Sequence, residues 1–385
     1  MVYMKQQLKL EDAKKLMLSC DIGKLDFAEI LNNINNDELL NKYSPDGICQ
    51  IDPRNGNLVV YNSSRAKRIH TTVDKPPRTK ESDNCPICSG SSSEILDIAE
   101  QSEGFTFINK NIYPIFHPIK ELPQEEADYF LHQDLEHKGR ASYGFHLLQW
   151  TSSIHDKDWH NLPFADALIS FEQLATLEKI LLCQTTSFMS RSITKMEQQL
   201  VSGYVSIIKN YGAAAGASLT HGHQQIAYSN ILPQRFFNNL RFRKRHDKSF
   251  SQFMQDENPA NLIVKDYGEV ILIVPYFMKR PLDMMLMVKD SRKRYLHQLT
   301  VVEKQQVTLA IQESIQTIIG LMQDMDIQPA YNMIVNNGPG CGLYFEFLAQ
   351  TQKMGGYEQI GLFVCQANAA DCALRLRERI LSLGS

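Results

Sequence analysis

The chain changes from a helical to an extended pattern of apolar residues near residue 48 and alternates between the two patterns afterwards. In the segment 1–42, apolar residues recur at roughly helical spacing in two stripes, which predicts one or two short helices. The apolar runs 48–51 and 58–61 flank the turn 53–56 and predict a β-hairpin. Further short apolar runs predict strands at 105–108, 144–150, 204–209 and 332–335.

Two long helices have sequence signals at their first residues. Ser170 and Gln173 have the spacing of a capping box, and so do Thr300 and Glu303. Each pair precedes apolar residues of helical period, which predicts that a helix begins at each pair.

The order of a long helix, a strand and a glycine-rich corner occurs twice. The corners are 212–216 and 338–342, and a further helix is predicted at 371–383. Long helices among antiparallel-type strands are typical of the α+β class. We therefore predict an α+β protein whose two similar halves each pair an antiparallel sheet with packed helices. The predicted boundaries are 1–42 for an N-terminal helical extension, 43–240 for the N-terminal half and 241–385 for the C-terminal half.

Composition excludes several classes of protein. With 43% hydrophobic and 22% charged residues among 385, the chain has the composition of a globular protein. Its net charge of −3 gives no overall field that would attract nucleic acid or an anionic membrane. The longest apolar runs, such as 270–277, are far shorter than the roughly 20 residues of a membrane-spanning helix. The N-terminus is not of signal-peptide type, and the eight cysteines are too sparse for a disulfide scaffold, so we expect a cytoplasmic location.

The stretch 209–225 carries the most specific chemical signal. Glycines and alanines in its first part leave room for a bulky group near the backbone, and unpaired N–H groups there can bind phosphate. His221, His223 and Gln225 follow at alternating positions, so a strand would place their side chains on one face. A neutral imidazole is a competent nucleophile at pH 7, which favours attack of a histidine on phosphorus. The simpler alternative is a pair of strand histidines that bond only to backbone carbonyls.

Cys85 and Cys88 form a thiolate pair with the spacing of a zinc knuckle. The pair is only half of a metal site, because the sequence has no second C-x-x-C. Histidines would have to complete it, and His155 and His221 are the best candidates. The alternatives are two free cysteines in a turn, or a redox pair, although the βαβ pattern typical of redox pairs is not adjacent.

The spacing N-x-G-A-A-x-G-x-S-x-x-H-x-H-x-Q, from Asn210 to Gln225, resembles the galactose-1-phosphate uridylyltransferase family, a branch of the histidine-triad superfamily. The resemblance covers roughly residues 48–385 and implies two histidine-triad-like halves. Other matching segments follow in the family's order, namely 65–68, the C-x-x-C pair, 107–114, the segment 152–155 and 356–358.

The resemblance also implies a role for each matching residue. His223 would be the nucleophile that becomes nucleotidylated, and Gln225 would bond to the phosphoryl oxygens. One structural zinc ion per chain would be held by Cys85, Cys88, His155 and His221. The substrate-binding residues would be Arg65, Arg68, Asn210, Gly216 and Ser218 on the phosphate side, Ile87 and Asn109 around the nucleoside, and Tyr357 and Glu358 at the hexose hydroxyls.

Gln225 bears on the type of reaction. Histidine-triad hydrolases carry histidine at this position, whereas a glutamine cannot exchange a proton near neutral pH. A nucleotidyl-histidine beside Gln225 would survive until a second phosphate-bearing substrate arrives. This favours transfer over hydrolysis.

Two positions depart from the family's pattern. Gly342 and Tyr344 stand where family members often carry a second pair of histidines, and neither residue is a good ligand for a transition metal. We therefore expect no second metal. The departure also leaves the acceptor sugar open, and Tyr357 and Glu358 have the alternative interpretation of a hairpin-turn pair.

Together these features favour a nucleotidyltransferase similar to UDP-glucose–hexose-1-phosphate uridylyltransferase. It would move a nucleoside monophosphate between a nucleoside-diphosphate sugar and a sugar 1-phosphate through a nucleotidyl-histidine. Two alternatives stay open: a phosphorylase acting on an ADP-sugar or a dinucleoside polyphosphate, and a non-catalytic nucleotide-binding protein. The expected partners are a nucleotide sugar and a sugar phosphate, without nucleic acid or membrane, and the resemblance implies a homodimer.

Overall fold

The computed structural model describes residues 8–18, 21–67, 85–118, 139–183 and 203–383. The helices are α1 (Leu10–Lys15), α2 (Phe27–Asn35), α3 (Glu38–Lys42), α4 (Phe164–Cys183), α5 (Gln234–His246), α6 (Phe250–Glu257), α7 (Val301–Asp324), α8 (Gly356–Gln359) and α9 (Ala369–Leu383). The strands are β1 (Ile48–Ile51), β2 (Leu58–Val60), β3 (Ile95–Glu100), β4 (Phe105–Lys110), β5 (Gly139–Ala141), β6 (Gly144–Trp150), β7 (Tyr204–Tyr211), β8 (His223–Ser229), β9 (Ile263–Asp266), β10 (Val270–Ile273), β11 (Met284–Val288), β12 (Tyr331–Asn336) and β13 (Tyr344–Ala349).

One ten-stranded sheet, in the order β3-β4-β6-β8-β7-β12-β13-β11-β10-β9, organises the fold. Its neighbouring strands pair antiparallel, and helices pack against it, so the predicted α+β class is confirmed. The first five strands in this order precede residue 240 and the other five follow it. The pairing of β7 with β12 joins the two sets. The division of the chain into two domain-like halves stays a prediction, and α5 spans the predicted boundary at residue 240.

The main core lies between this sheet and the two longest helices. α4 and α7 contact each other, and Ile311, Ile315 and Ile318 of α7 are buried in the core with sheet residues such as Phe345. Burial of an isoleucine side chain stabilises the fold by about 1.5–3 kcal/mol. The helices therefore hold one face of the sheet, and with it the strands that present the site.

The N-terminal extension covers the outer edge of the sheet. It contains three short helices in the described part, where the sequence predicts one or two. Beyond α1, the Leu18 amide donates to the Ile95 carbonyl, and the Ile95 amide donates to the Leu16 carbonyl, both at 2.9 Å. These bonds occupy the start of edge strand β3, which would otherwise expose unpaired backbone groups.

The predicted hairpin is confirmed, with Cys49 opposite Val60 in the antiparallel pair of β1 and β2. The predicted capping box at Thr300 is also confirmed, because its side chain accepts from the Glu303 amide while Glu303 caps the Thr300 amide. No helix in the described part of the chain is both long enough and apolar enough to span a membrane.

The predicted helix start at Ser170 is wrong, because α4 begins at Phe164, directly after Pro163. Proline suits the start of a helix, since its missing N–H would have no partner there. Ser170 instead lies inside the helix, and its hydroxyl takes part in bonds to Gln101 and to the Thr151 carbonyl. Its polar side chain thus connects the helix to the sheet rather than capping it.

Candidate functional site

The candidate nucleophile begins β8, an interior strand of the sheet that lies between β6 and β7. His223 is the first residue of β8 and lies opposite Trp150 of β6. Gln225, opposite Ile208 of β7, shares the face of His223 because side chains alternate along a strand. His221 precedes the strand. His223 and Gln225 therefore share one face of the strand, as predicted. His221 lies in the turn before the strand.

The structure brings the four predicted metal ligands together. The ligand atoms of Cys85, Cys88, His155 and His221 all lie within 4.8 Å of one another. The Cys88 sulfur is 3.2 Å from His155 Nδ1, and the Cys85 sulfur is 3.5 Å from His221 Nδ1. A tetrahedral ion with bonds of roughly 2.0–2.3 Å separates its ligand atoms by about 3.3–3.8 Å. This cluster can therefore hold a metal ion.

The surroundings of the cluster also fit a metal site. His221 Nε2 lies 2.8 Å from the Ser152 carbonyl oxygen, so its ring is oriented with Nδ1 toward the sulfurs. Such outer contacts of ligand histidines are a regular feature of metal sites. Burial by itself raises the pKa of the Cys85 thiol, but hydrogen bonds with His155 and His221 lower it to about 5. The thiolate that a metal requires is thus favoured at neutral pH.

The backbone fixes which nitrogen of His223 can react. His223 Nδ1 is 2.8 Å from the His221 carbonyl oxygen, and this bond forms when Nδ1 carries the proton and donates it. Burial lowers the pKa of His223 to about 4, so the ring is neutral at pH 7. Nε2 then keeps its lone pair. A neutral imidazole in this tautomer is prepared for nucleophilic attack through Nε2.

Trp150 connects the separate parts of the site and was not predicted from the sequence. Its ring lies 5.3 Å from the ring of His221 and 5.0 Å from that of His223, between centroids. Its indole N–H donates to Asn109 Oδ1 at 3.0 Å. The sequence predicts a strand at 144–150. It does not predict which strand pairs with it, and that pairing brings Trp150 to the histidines.

The glycine-rich loop is more self-contained than the sequence predicts. The amides of Ala215 and Ala217 donate to the Gly212 carbonyl, and the amide of Gly216 donates to the Ala213 carbonyl. The expectation of unpaired N–H groups is therefore wrong for these three residues, since a short 3₁₀ turn satisfies them. Gly216 has a φ of +80°, and a Cβ built there meets no atom within 4 Å. It leaves open space beside the backbone.

Asn210 is tied to the opposite set of strands. Its Oδ1 accepts from Asn332 Nδ2 of β12 at 2.8 Å, and the same Nδ2 lies 2.9 Å from the Ala215 carbonyl. Asn332 thereby connects Asn210 with the glycine-rich loop. Ser218, which follows this loop, is buried.

The two candidate nucleoside residues are both buried. Ile87 packs in a cluster with Cys85, Phe107 and Trp150. Asn109 donates to Ser92 Oγ at 3.0 Å through its amide nitrogen. Both residues thus lie near the Cys/His cluster, Ile87 by packing against Cys85 and Asn109 through its bond to Trp150.

The arginine-containing segment is only partly within the described residues. Arg65 lies in a 3₁₀ turn, Ser63–Lys67, and its guanidinium donates to the Tyr113 carbonyl at 3.3 Å. Arg68 lies outside the described residues.

Tyr357 and Glu358 lie on α8, far along the chain from the other candidates. Tyr357 is 64% exposed. Glu358 accepts from the Gly355 and Val364 amides, and hydrogen bonds from its own backbone amide and from these two lower its pKa. The carboxylate is therefore used to hold its own turn in this structure. The hexose-binding roles of both residues stay predictions.

The C-terminal set of strands carries the positions that depart from the family. Tyr344 begins β13 and is buried, and Gly342 has a φ of +67°. The absence of a second metal stays a prediction.

A cavity of about 340 Å³ opens at the ends of β7 and β8. His221 and His223 line it, together with Asp158, His160 and Lys209, none of which was predicted as a site residue. Asp158 and Lys209 form a buried ion pair with 2.7 Å between Oδ2 and Nζ. No spacing in the sequence connects Asp158 with Lys209. A lysine directly after Ile207 and Ile208 in a predicted strand was an available signal.

Comparison with known proteins supports this fold. No family model matches the chain. An ADP-glucose phosphorylase from Arabidopsis thaliana is 19% identical over 348 residues, which is 85% of this chain and 91% of that protein. A solved uridylyltransferase superposes with a TM-score of 0.65 at 18% identity, covering 88% of this chain and 100% of the other. A solved ADP-glucose phosphorylase from Arabidopsis thaliana with bound ADP-glucose superposes with a TM-score of 0.55 at 18% identity, covering 87% and 99%. The chain therefore has the fold of the uridylyltransferases, which confirms at the level of the fold the resemblance drawn from its sequence.

Proposed function

We propose that this protein is a nucleotidyltransferase that forms a covalent nucleotidyl-histidine on His223. The observation that carries the proposal is the 2.8 Å contact between His223 Nδ1 and the His221 carbonyl oxygen, which leaves Nε2 as the nitrogen with a lone pair beside an open cavity. A protein that only binds nucleotides does not need a nucleophile held in this way. The similarity in fold to a uridylyltransferase and an ADP-glucose phosphorylase supports the same chemistry.

The reaction would proceed in two displacements at the α-phosphorus of a nucleoside-diphosphate sugar. The lone pair on His223 Nε2 attacks phosphorus, and the bond to the departing sugar 1-phosphate breaks. The resulting imidazolium keeps its Nδ1 proton, which the His221 carbonyl accepts as a hydrogen bond. A phosphate oxygen of the acceptor then attacks the same phosphorus, and the P–N bond breaks, which returns His223 to its neutral form. Gln225 would hold the phosphoryl oxygens without exchanging a proton.

Zinc is the metal that the Cys₂His₂ donor set favours. It would be held by Cys85, Cys88, His155 and His221, and its chemistry is structural, because four protein ligands leave no open position. A bound ion would fix His221, whose carbonyl accepts from His223 Nδ1.

We propose a UDP-sugar as the donor and a hexose 1-phosphate as the acceptor. We also propose that the protein acts as a homodimer. The second candidate is a phosphorylase reaction, in which the adenosine monophosphate group moves from an ADP-sugar to inorganic phosphate. The relative and the solved structure named ADP-glucose phosphorylase specifically favour it. The two candidates share the His223 chemistry and differ in the base and in the acceptor.

The test is an assay of donors and acceptors with the full-length protein. UDP-glucose, UDP-galactose and ADP-glucose are each supplied with hexose 1-phosphate or with inorganic phosphate, and sugar 1-phosphate release is measured. We expect turnover with at least one pair, and none in H223A. H246A, which alters a histidine on α5, should retain the parent's rate. Turnover by H223A would contradict the proposal, and binding of donors without turnover would support the nucleotide-binding alternative.

A further inference from the structure

A buried ion pair lies directly behind the proposed nucleophile, and the two displacements give it no role. The side chains of Lys209 and Asp158 are only 1% and 6% exposed. Such a pair loses the hydration of both charges, and apolar replacements of similar volume are often neutral or stabilising. A contribution to stability therefore does not explain why the pair lies at this point of the fold.

The pair contacts the backbone on both sides of the nucleophile's Cα. Lys209 Nζ lies 3.3 Å from the His223 carbonyl oxygen and donates to it. Asp158 packs against Gly222, where an added Cβ would lie only 2.5 Å from Asp158 Cγ. The pair thus defines the path of the chain through residues 222 and 223.

Lys209 acts on the face of the sheet opposite to the reacting side chains. Ile208 and Gln225 are cross-strand partners, so their side chains share one face. Lys209, the next residue of β7, projects to the other face. It therefore contacts the backbone of His223 from the face opposite to the His223 and Gln225 side chains.

Asp158 is itself held rigidly. Its Oδ1 accepts from the Trp159 amide at 2.8 Å, and its amide donates to Asn161 Oδ1 at 2.8 Å. Its carbonyl accepts from the Asn161 and Leu162 amides, both at 3.0 Å. These bonds fix the Asp158 carboxylate, and the carboxylate fixes the position of the Lys209 ammonium group.

We propose that Lys209 and Asp158 are positioning residues, which hold the 222–223 peptide so that His223 Nε2 points at the α-phosphorus. This inference rests on the proposed function. The direction of Nε2 depends on the Nδ1 bond to the His221 carbonyl and on the position of the His223 backbone. The ion pair fixes the second of these. A displacement of about 1 Å in a reacting group can slow a reaction by about 100-fold.

Two variants separate positioning from stability. K209M removes the donor to the His223 carbonyl and leaves the Asp158 charge buried, so it should destabilise the fold. K209M/D158N removes both charges and should recover much of that stability. Lys110 provides a matched control, because its side chain is also 1% exposed and is paired with Asp37 and Glu94, and it belongs to β4. K110M therefore removes an equally buried lysine away from β8.

The measurement is single-turnover labelling of the full-length protein with a donor labelled at its α-phosphate. Metal content, thermal unfolding and the concentration dependence of the rate are recorded on the same samples. We expect the saturated labelling rate to fall by about 10- to 100-fold in both K209M and K209M/D158N, with half-saturation changed less than about twofold. Metal content should stay at the parent's level, and K110M should label at the parent's rate.

Recovery of the labelling rate together with stability in K209M/D158N would show that the pair is only structural and would overturn the inference. An equal loss of rate in K110M would do the same. If the parent accepts no label from any donor in the panel, the proposed function fails and this inference fails with it. If the parent is labelled and the Lys209 variants are labelled at the parent's rate, the positioning role is contradicted and the proposed function is not.

Discussion

At the scale of single residues, the reactivity proposed for His223 comes from its contacts rather than from its residue type. The His221 carbonyl selects the tautomer, and burial keeps the ring uncharged. Trp150 packs beside both histidines and limits the space available to the ring. The same residue on an exposed strand would have neither a fixed tautomer nor a depressed pKa.

Asp283 is a buried carboxyl whose ionisation should affect stability. Burial raises its pKa to about 7, although Arg280 opposes the shift. In the unfolded chain the group ionises near pH 4. Between these values the folded protein holds a proton that the unfolded chain has released, so the free energy of unfolding should fall as pH rises, by up to about 1.4 kcal/mol per pH unit. D283N should remove this dependence in urea denaturation measured from pH 4.5 to pH 7.

The control is D266N, since Asp266 is paired with Lys289 near the surface and has a lowered pKa. Asp266 is ionised in both states across this range, so D266N should keep the parent's slope. Equal slopes for D283N and the parent would contradict the assignment to Asp283.

The two glycines that flank the 3₁₀ turn should respond differently to alanine. Both have a φ of +80°, a strained backbone that costs an alanine roughly 1–3 kcal/mol. In G212A the new Cβ would also lie 2.5 Å from the Pro329 carbonyl oxygen, whereas in G216A it meets open space. We expect chemical denaturation to show a clearly larger loss of stability for G212A. Similar losses in both variants would contradict the loop geometry.

The sequence predicted the candidate residues that share a local pattern, and it missed those that depend on distant contacts. The cluster of Cys85, Cys88, His155 and His221 follows from a knuckle and a family resemblance. Asp158 and Lys209 are brought together only by the turn at 156–162 and the strand pairing. Side-chain pairs across such distances have no periodicity from which to be predicted.

At the scale of elements, the capping rule predicted the start of α7 correctly but placed the start of α4 at a residue that lies inside the helix. Thr300 caps α7 as predicted. The similar spacing at Ser170 and Gln173 lies inside α4, where Gln173 Oε1 accepts from Gln149 at 2.7 Å. These polar residues lie at a helix–sheet interface. Their spacing is the same as that of a capping box, so spacing alone cannot distinguish the two.

The cysteine knuckle is the element whose removal should separate stability from chemistry. C85S should bind less metal than the one equivalent expected of the parent, and its thermal midpoint should fall, because the knuckle no longer anchors His221. The protein that remains folded should still be labelled on His223, at a reduced rate, because the metal site acts on His223 only through the His221 carbonyl. Metal analysis and calorimetry measure the effect.

C49S is the matched control, since Cys49 is buried on β1 outside the cluster. It should retain the parent's metal content. Unchanged metal content in C85S would show that the cluster does not bind the ion through Cys85.

At the scale of the whole molecule, the alternation of helical and extended patterns was sufficient for the α+β class but not for the continuous sheet. The pairing of β7 with β12 places Asn332 beside Asn210, so the second set of strands supports the site of the first. Edge strand β3 and helices α5 and α6 were not predicted. The two helices are short and contain few apolar residues, so each offers only a few positions from which to predict a helix.

The central claim is tested most directly by mapping the covalent intermediate. The full-length protein is incubated with donors labelled at the α-phosphate, quenched in base, digested and analysed by mass spectrometry. We predict one nucleoside monophosphate per chain, attached to His223 through an acid-labile, base-stable bond. H223A should take up none, and Q225A should be labelled more slowly, by roughly 10²- to 10³-fold. The absence of label with every UDP- and ADP-sugar tested, or label on a residue other than His223, would contradict the account.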